Sequence, residues 1–279
     1  MLMAVGIGCT MHPLDGVITL LVPASQALRA RQQLVQYARE NRRQQVEENC
    51  GQEGGKRQPR RLIDGLPAAV GCAGTLVLLY AWSRQSAFFQ DWLSAGAAQA
   101  RLILGGEWWR TMTALGLHAD LSHLGSNVIF GIVFGLLVAQ IFGSGLGWIV
   151  ILLAGAAGNA LNALIQPDAH TAIGASTAVF AAVGILSAVM WRRKRYALGL
   201  RRWTPLAGGL MLLVYLGIGG ERTDVGSHIA GFATGVLSGA MLAQVHDRLP
   251  KGARAQRACG AAAALLFALA WVLALRAQV

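Results

Sequence analysis

A hydroxyl and an imidazole sit where only apolar side chains would be expected. Ser176 lies in Gly174-Ala175-Ser176-Thr177, at the mouth of an uncharged run that continues to Met190. His228 lies in Gly226-Ser227-His228-Ile229-Ala230-Gly231, at the mouth of another such run. Hydrocarbon offers no water to satisfy polar groups, so each needs a partner, and the most economical partner for each is the other. A serine whose proton a histidine can accept is a nucleophile. The pair therefore points to a protease that works within a membrane.

Other polar residues fall in a pattern that supports this chemistry. His123 and Asn127 are four apart and share one helix face, and the same step continues to Gly131 and Gly135. Ser176, Phe180 and Gly184 repeat the arrangement, and Gly231, Gly235 and Gly239 follow His228 at four-residue spacing. Three helices are thus expected to carry catalytic-type side chains at the outer end of a glycine-lined face. Small residues let neighbouring helices approach closely, which would bring those outer ends together. Singly, each signal has a plain alternative: GxxxG commonly means packing, and a histidine at a helix end is commonly structural. Asp224 and Asp120 invite a third catalytic role, but each precedes a helix and reads more simply as an N-cap.

The elements that must position these groups are membrane spans. Of 279 residues, 54% are hydrophobic and 13% charged, about half the globular norm of roughly 25%. Spanning runs are expected over 65–82, 121–142, 144–164, 174–191, 204–220, 225–245 and 259–275. The net charge of +11 raises the question of nucleic acid, but the Lys and Arg residues cluster between the apolar runs, which argues against it. Basic loops at Arg192–Arg202 and Arg248–Arg257 lie on the same side as Lys56, Arg57, Arg60 and Arg61. The positive-inside rule places that side, and the N-terminus, in the cytoplasm. His123, Asn127, Ser176 and His228 then all begin their helices at the opposite end, at one depth.

The expected organisation is a cytoplasmic N-terminal segment and linker over 1–62, a six-helix core over 63–245, and a basic loop with a seventh helix over 246–279. Within the first segment Ser25 could cap a solvated or interfacial helix over 26–48, and Gly51 to Pro59 reads as a linker. A long loop over about 83–117 carries Phe88, Phe89, Trp92, Trp108 and Trp109, aromatics that favour the membrane interface. The four cysteines show no metal or disulfide spacing, and no cofactor or metal is expected.

At these residues the chain resembles the rhomboid family of intramembrane serine proteases over about 65–245. The resemblance rests on Trp109-Arg110, the HxxxxHxxxN pattern of His118, His123 and Asn127, the GxS motif ending at Ser176, and His228 followed by Gly231 and Gly235. It implies an all-α polytopic fold with a six-helix core and one extra C-terminal helix. It also implies Ser176 as nucleophile and His228 as general base, with Asn127 and His123 donating to an oxyanion and His118 lining the same cavity. Phe180 would pack beside the base, and Gly174 would keep the backbone there uncrowded. The implied partners are transmembrane segments of other proteins in a lipid bilayer, with a bacterial inner membrane as the expected location. One departure stands beside the nucleophile: Thr177 occupies a position where the family usually has glycine, and its β-branched side chain is expected to narrow the pocket or alter the rate, while removing none of the reacting groups. Two other readings compete, a catalytically silent protein that binds membrane clients and a small transporter. Retention of Ser176 and His228 opposes the first. Against the second, no polar residue continues the path toward the cytoplasm.

Overall fold

A computed structural model of the protein describes residues 2–14, 17–37, 62–193, 203–217, 224–249 and 252–278. The chain divides into two compact units, Met1–Pro59 and Arg60–Val279. In the first, strands β1 (Thr10–Leu14) and β2 (Val17–Leu21) form an antiparallel hairpin in which Thr10 faces Leu21. Periodicity gave no hint of it, because the apolar run is short and Pro13 opposes a strand. Helix α1 covers 27–37, and residues 38–48 of the expected helix lie outside the described residues. Ser25 does not cap it: the serine sits inside a 3₁₀ turn, Ala24–Gln26, that precedes the helix and has no side-chain cap. Leu28, Leu34, Val35 and Tyr37 are exposed, while Ala30 buries against Leu2 and Ile7.

In the second unit each of the seven apolar runs forms a helix. These are α2 (Leu66–Arg84), α6 (Leu121–Phe142), α7 (Ser144–Ile165), α8 (Ser176–Arg193), α9 (Thr204–Gly217), α10 (Val225–Gln244) and α11 (Ala253–Arg276). Five of them, all but α8 and α9, are long and apolar enough by length and composition alone to cross a membrane. The protein is an all-α, multi-pass membrane protein. Residues 218–220 of the fifth expected span lie outside the described residues.

Helix α11 begins at Ala253, well before the expected start, so Arg254 and Arg257 stand on its first turns and not in a loop. The extension has a job to do. Gln256 reaches across to the hairpin between α6 and α7, donating to the Phe142 carbonyl at 3.1 Å and accepting from the Leu146 N–H at 3.1 Å. Those are helix-end groups with no partner inside their own helices. Gly145 lets the α11 backbone come into direct contact, since a Cβ there would overlap the Gln256 carbonyl.

The stretch between α2 and α6 is built, not a loop. It holds α3 (Trp92–Gly96), β3 (Ala98–Gln99), α4 (Ala100–Leu104) and α5 (Arg110–Thr113). Arg110 organises it from inside: its guanidinium pairs with Glu107 at 2.6 Å and donates to the carbonyls of Ser94 and Ala97. A buried charge is tolerated when paired and hydrogen-bonded in this way. Trp92 is core, not an interface anchor, and its ring lies between those of Trp82 and Trp271, tilted to both. Phe88 and Trp108 are exposed. Strand β3 pairs with β4 (Thr171–Ala172), the strand that leads into α8.

Candidate active site

The packing of α8 on α10 fixes the site. A Cβ on Gly231 would run into the Thr177 carbonyl, one on Gly235 into Ala181, and one on Gly239 into the Ile185 backbone. Gly184 answers from the other side, against the Phe232 carbonyl. Only glycine permits backbones this close. Thr234 adds a hydrogen bond from α10 to the Ala154 carbonyl of α7 at 2.8 Å. Ser176 starts α8 and His228 lies on the first turn of α10, so the seam sets both at its same end. There the Phe180 ring lies 4.5 Å from the His228 ring, centroid to centroid. His228 is buried, whereas Ser176 is half-buried.

Helix α6 contributes differently from expectation. Its glycines do not receive a helix backbone: Gly135 faces the ring of Trp148, and Gly131 meets only Val179, at 3.9 Å from an ideal Cβ. Shared spacing with α8 and α10 hid this, because spacing says that a face is bare and not what fills it. The outer end of α6 does come to the site. Asp120 caps the helix by accepting the His123 N–H at 2.8 Å. An ideal Cβ on Gly174 would lie 2.6 Å from His123 Nε2 and 3.6 Å from Ser176 Oγ, so those two atoms flank one point. Gly174 also has φ +126°, which only glycine adopts without strain. Asn127, one turn further in, is buried, and its Nδ2 has no hydrogen-bond partner among the described residues.

His118 is almost fully buried, 1% exposed, with its ring edge-on to His123 at 5.1 Å. Its Nε2 accepts the Ala175 N–H at 3.4 Å, which needs a neutral imidazole. Burial pushes its pKa down to about 4, and the charge of neighbouring His123 pushes the same way. His118 therefore holds the backbone just before Ser176.

Thr177 does not crowd the site. Its side chain is buried between α7 and α10, with Cγ2 near 3 Å from the Cβ positions of both Gly158 and Gly231. Gly158 supplies the room that a β-branched residue needs. The pocket is not narrowed from that direction.

A cluster that sequence reading left out stands beside α10. Asp224 caps the helix, accepting the Ser227 N–H at 3.1 Å through Oδ1. Its Oδ2 is 2.8 Å from His170 Nε2 and accepts from Asn162 Nδ2 at 3.0 Å. The carboxylate is thus committed to His170 and the cap. The signal was faint, because the three residues come from separate segments with no shared spacing.

A cavity of about 610 Å³ opens among α2, α6, α7, α8 and α11 and is almost wholly apolar. Asn127 and Ala175 are among the residues lining it, and Ser176 and His228 are not.

Comparison with known proteins places the chain in a family. A family model described as the Rhomboid domain matches residues 105–245. The chain is 32% identical over 178 residues to Rhomboid protease GluP of Bacillus subtilis, covering 63% of this chain and 33% of that protein. It is 31% identical to Rhomboid-like protease 3 of Toxoplasma gondii, covering 56% of this chain and 60% of that one. Rhomboid-like protein 11 of Arabidopsis thaliana, a chloroplastic protein, is 29% identical over 161 residues. The chain thus spans a third to three-fifths of the first two relatives. The matched segment contains every motif residue of α6, α8 and α10, in the six-helix core to which α11 is added, and the chain belongs to the rhomboid family.

Proposed function

We propose that the protein is an intramembrane serine endopeptidase that cuts transmembrane segments of other membrane proteins through a Ser176–His228 dyad. The observation that carries this reading is the convergence at Gly174. Ser176 Oγ and His123 Nε2 flank one point there, and one helical turn inward from His123 the buried Asn127 amide has a donor with no partner among the described residues. Buried polar groups are ordinarily paired, and a developing oxyanion would give the Asn127 donor the partner it lacks.

In this mechanism His228 takes the proton of Ser176 Oγ as the oxygen attacks the scissile carbonyl carbon. The C=O electron pair moves onto oxygen, where Asn127 and His123 donate hydrogen bonds. The tetrahedral carbon then collapses, the C–N bond breaks, and His228 returns its proton to the leaving amine. Water, deprotonated by His228, repeats the sequence on the acyl-enzyme and frees Ser176. Phe180 limits the rotation of the base. Asp224 takes no part, because its carboxylate is occupied by His170 and the helix cap, so the pair acts as a dyad. The charge topology puts the site on the non-cytoplasmic side of a membrane whose cytoplasmic side holds the N-terminus.

The test is cleavage of a model transmembrane substrate by purified protein. Loss of cleavage and of fluorophosphonate labelling in Ser176→Ala, with cleavage lost in His228→Ala, is the expected result. Equal cleavage by wild type and Ser176→Ala would sink the assignment, and binding without cleavage in wild type would mark a silent member of the family.

A further inference from the structure

The nucleophile and the base reach the site on segments that meet a second time, at His170 and Asp224. His170 precedes β4, and its own backbone is held on both sides. Its N–H donates to the Pro167 carbonyl at 2.8 Å, and its carbonyl accepts the Ala100 N–H at 3.0 Å. Thr171 and Ala172 then pair with Gln99 and Ala98, and the Gly174 N–H donates to the Ala114 carbonyl at 2.9 Å. The path from His170 to Ser176 is therefore pinned at nearly every step. Asp224 is equally close to the base: its side chain caps the helix and its carbonyl accepts the His228 N–H at 3.3 Å.

One hydrogen bond of 2.8 Å joins these two paths, from His170 Nε2 to Asp224 Oδ2. Two neighbours are shaped around it. Asn162, 2% exposed, donates from α7 to the same Oδ2. Gly226 carries no side chain because a Cβ there would collide with the Asn162 and Gln166 amides.

We propose that His170 is a positioning residue for the proposed dyad: its hydrogen bond to Asp224 ties the strand entering α8 to the cap of α10 and so sets the placement of His228 relative to Ser176. This rests on the reading of Ser176 and His228 as the reacting pair. A misplacement of about 1 Å in such a pair costs up to roughly 100-fold in rate. The tie is separable from the cap, since without His170 the Asp224 carboxylate still holds Ser227 and Asn162.

The experiment compares His170→Phe, His170→Gln, Asp224→Ser and the double variant His170→Phe/Asp224→Ser in proteoliposomes with a transmembrane substrate. His170→Phe removes the hydrogen bond, and kcat falls about tenfold with KM within about twofold and an unchanged melting temperature. Glutamine can place an amide N–H where Nε2 stood, so His170→Gln recovers to within about threefold of wild type. Serine still caps α10 but offers no second oxygen, so Asp224→Ser matches His170→Phe and the double variant is no slower than either. Wild-type kcat in His170→Phe, equal losses in the Phe and Gln variants, or multiplying losses in the double variant would each overturn the tie. Hydrogen exchange at the Ser227 and His228 amides reads the same contact without catalysis and should accelerate in His170→Phe. If wild type shows no Ser176-dependent cleavage while exchange still responds, the protease reading has failed and the tie has not. Unchanged exchange overturns the tie whatever the activity.

Discussion

Helix α8 has two neighbours that it treats in opposite ways. Against α10 it presents backbone to backbone wherever Gly231, Gly235 and Gly239 stand, with the Phe180–His228 ring contact at one end. Against α9 it offers little: of the described α9 side chains Leu213 alone is buried, Gly209 sits on Ser187, and Trp203 meets Trp191 at 5.7 Å. Leu210, Met211, Val214 and Tyr215 all face outward. One seam leaves its two backbones no room to shift past each other. The other rests on Gly209 and Leu213, and the exposed large side chains of α9 face outward, where lipid is their surrounding. Geometry that must be held to fractions of an ångström belongs on the first kind of contact, and that is where Ser176 and His228 stand.

Four substitutions probe the contrast. Gly231→Leu drives a side chain into the Thr177 backbone, so α8 and α10 separate, and activity should fall more than about 100-fold with a lowered melting temperature. Retained activity would mean that the seam does not set the proposed dyad. Asn127→Ala acts on rate alone: kcat should drop about 10²- to 10³-fold. The melting temperature should hold, because the lost Nδ2 had no partner among the described residues. A large thermal destabilisation would instead make Asn127 a packing residue. Thr177→Gly leaves a void between Gly158 and Gly231, costing about 1 kcal/mol of stability by denaturant titration with activity within about tenfold of wild type. Tyr215→Ala, on the exposed face of α9, should change stability by less than about 0.5 kcal/mol in the same assay.

What could be read ahead of the structure follows the same division. The spans and the α8–α10 seam are legible because each repeats one physical property at the period of a helix. Ser176, His228, His123 and Asn127 are legible because polarity at that depth is rare. The reach of Gln256, the Arg110 bonds to the Ser94 and Ala97 carbonyls, and the His170–Asp224 contact are not, since each joins separate segments and no local pattern encodes the meeting. The role of Gly174 was visible as an uncrowded backbone, but the His123 imidazole that needs the space was not. Thr177 misled in the other direction: a bulky residue beside a nucleophile suggests obstruction until Gly158, far away in sequence, is seen to receive it.

The reach of Gln256 to the α6–α7 hairpin imposes an order on assembly. The Phe142 carbonyl and Leu146 N–H that it satisfies are made 114 and 110 residues earlier. At synthesis rates of about 5–20 residues per second, the hairpin waits roughly 5–20 s before its last partner exists. A chain stopped short of α11 would carry that gap permanently. The C-terminal helix is thus a late-arriving clasp, and truncation before it should expose the newborn core to quality-control proteases.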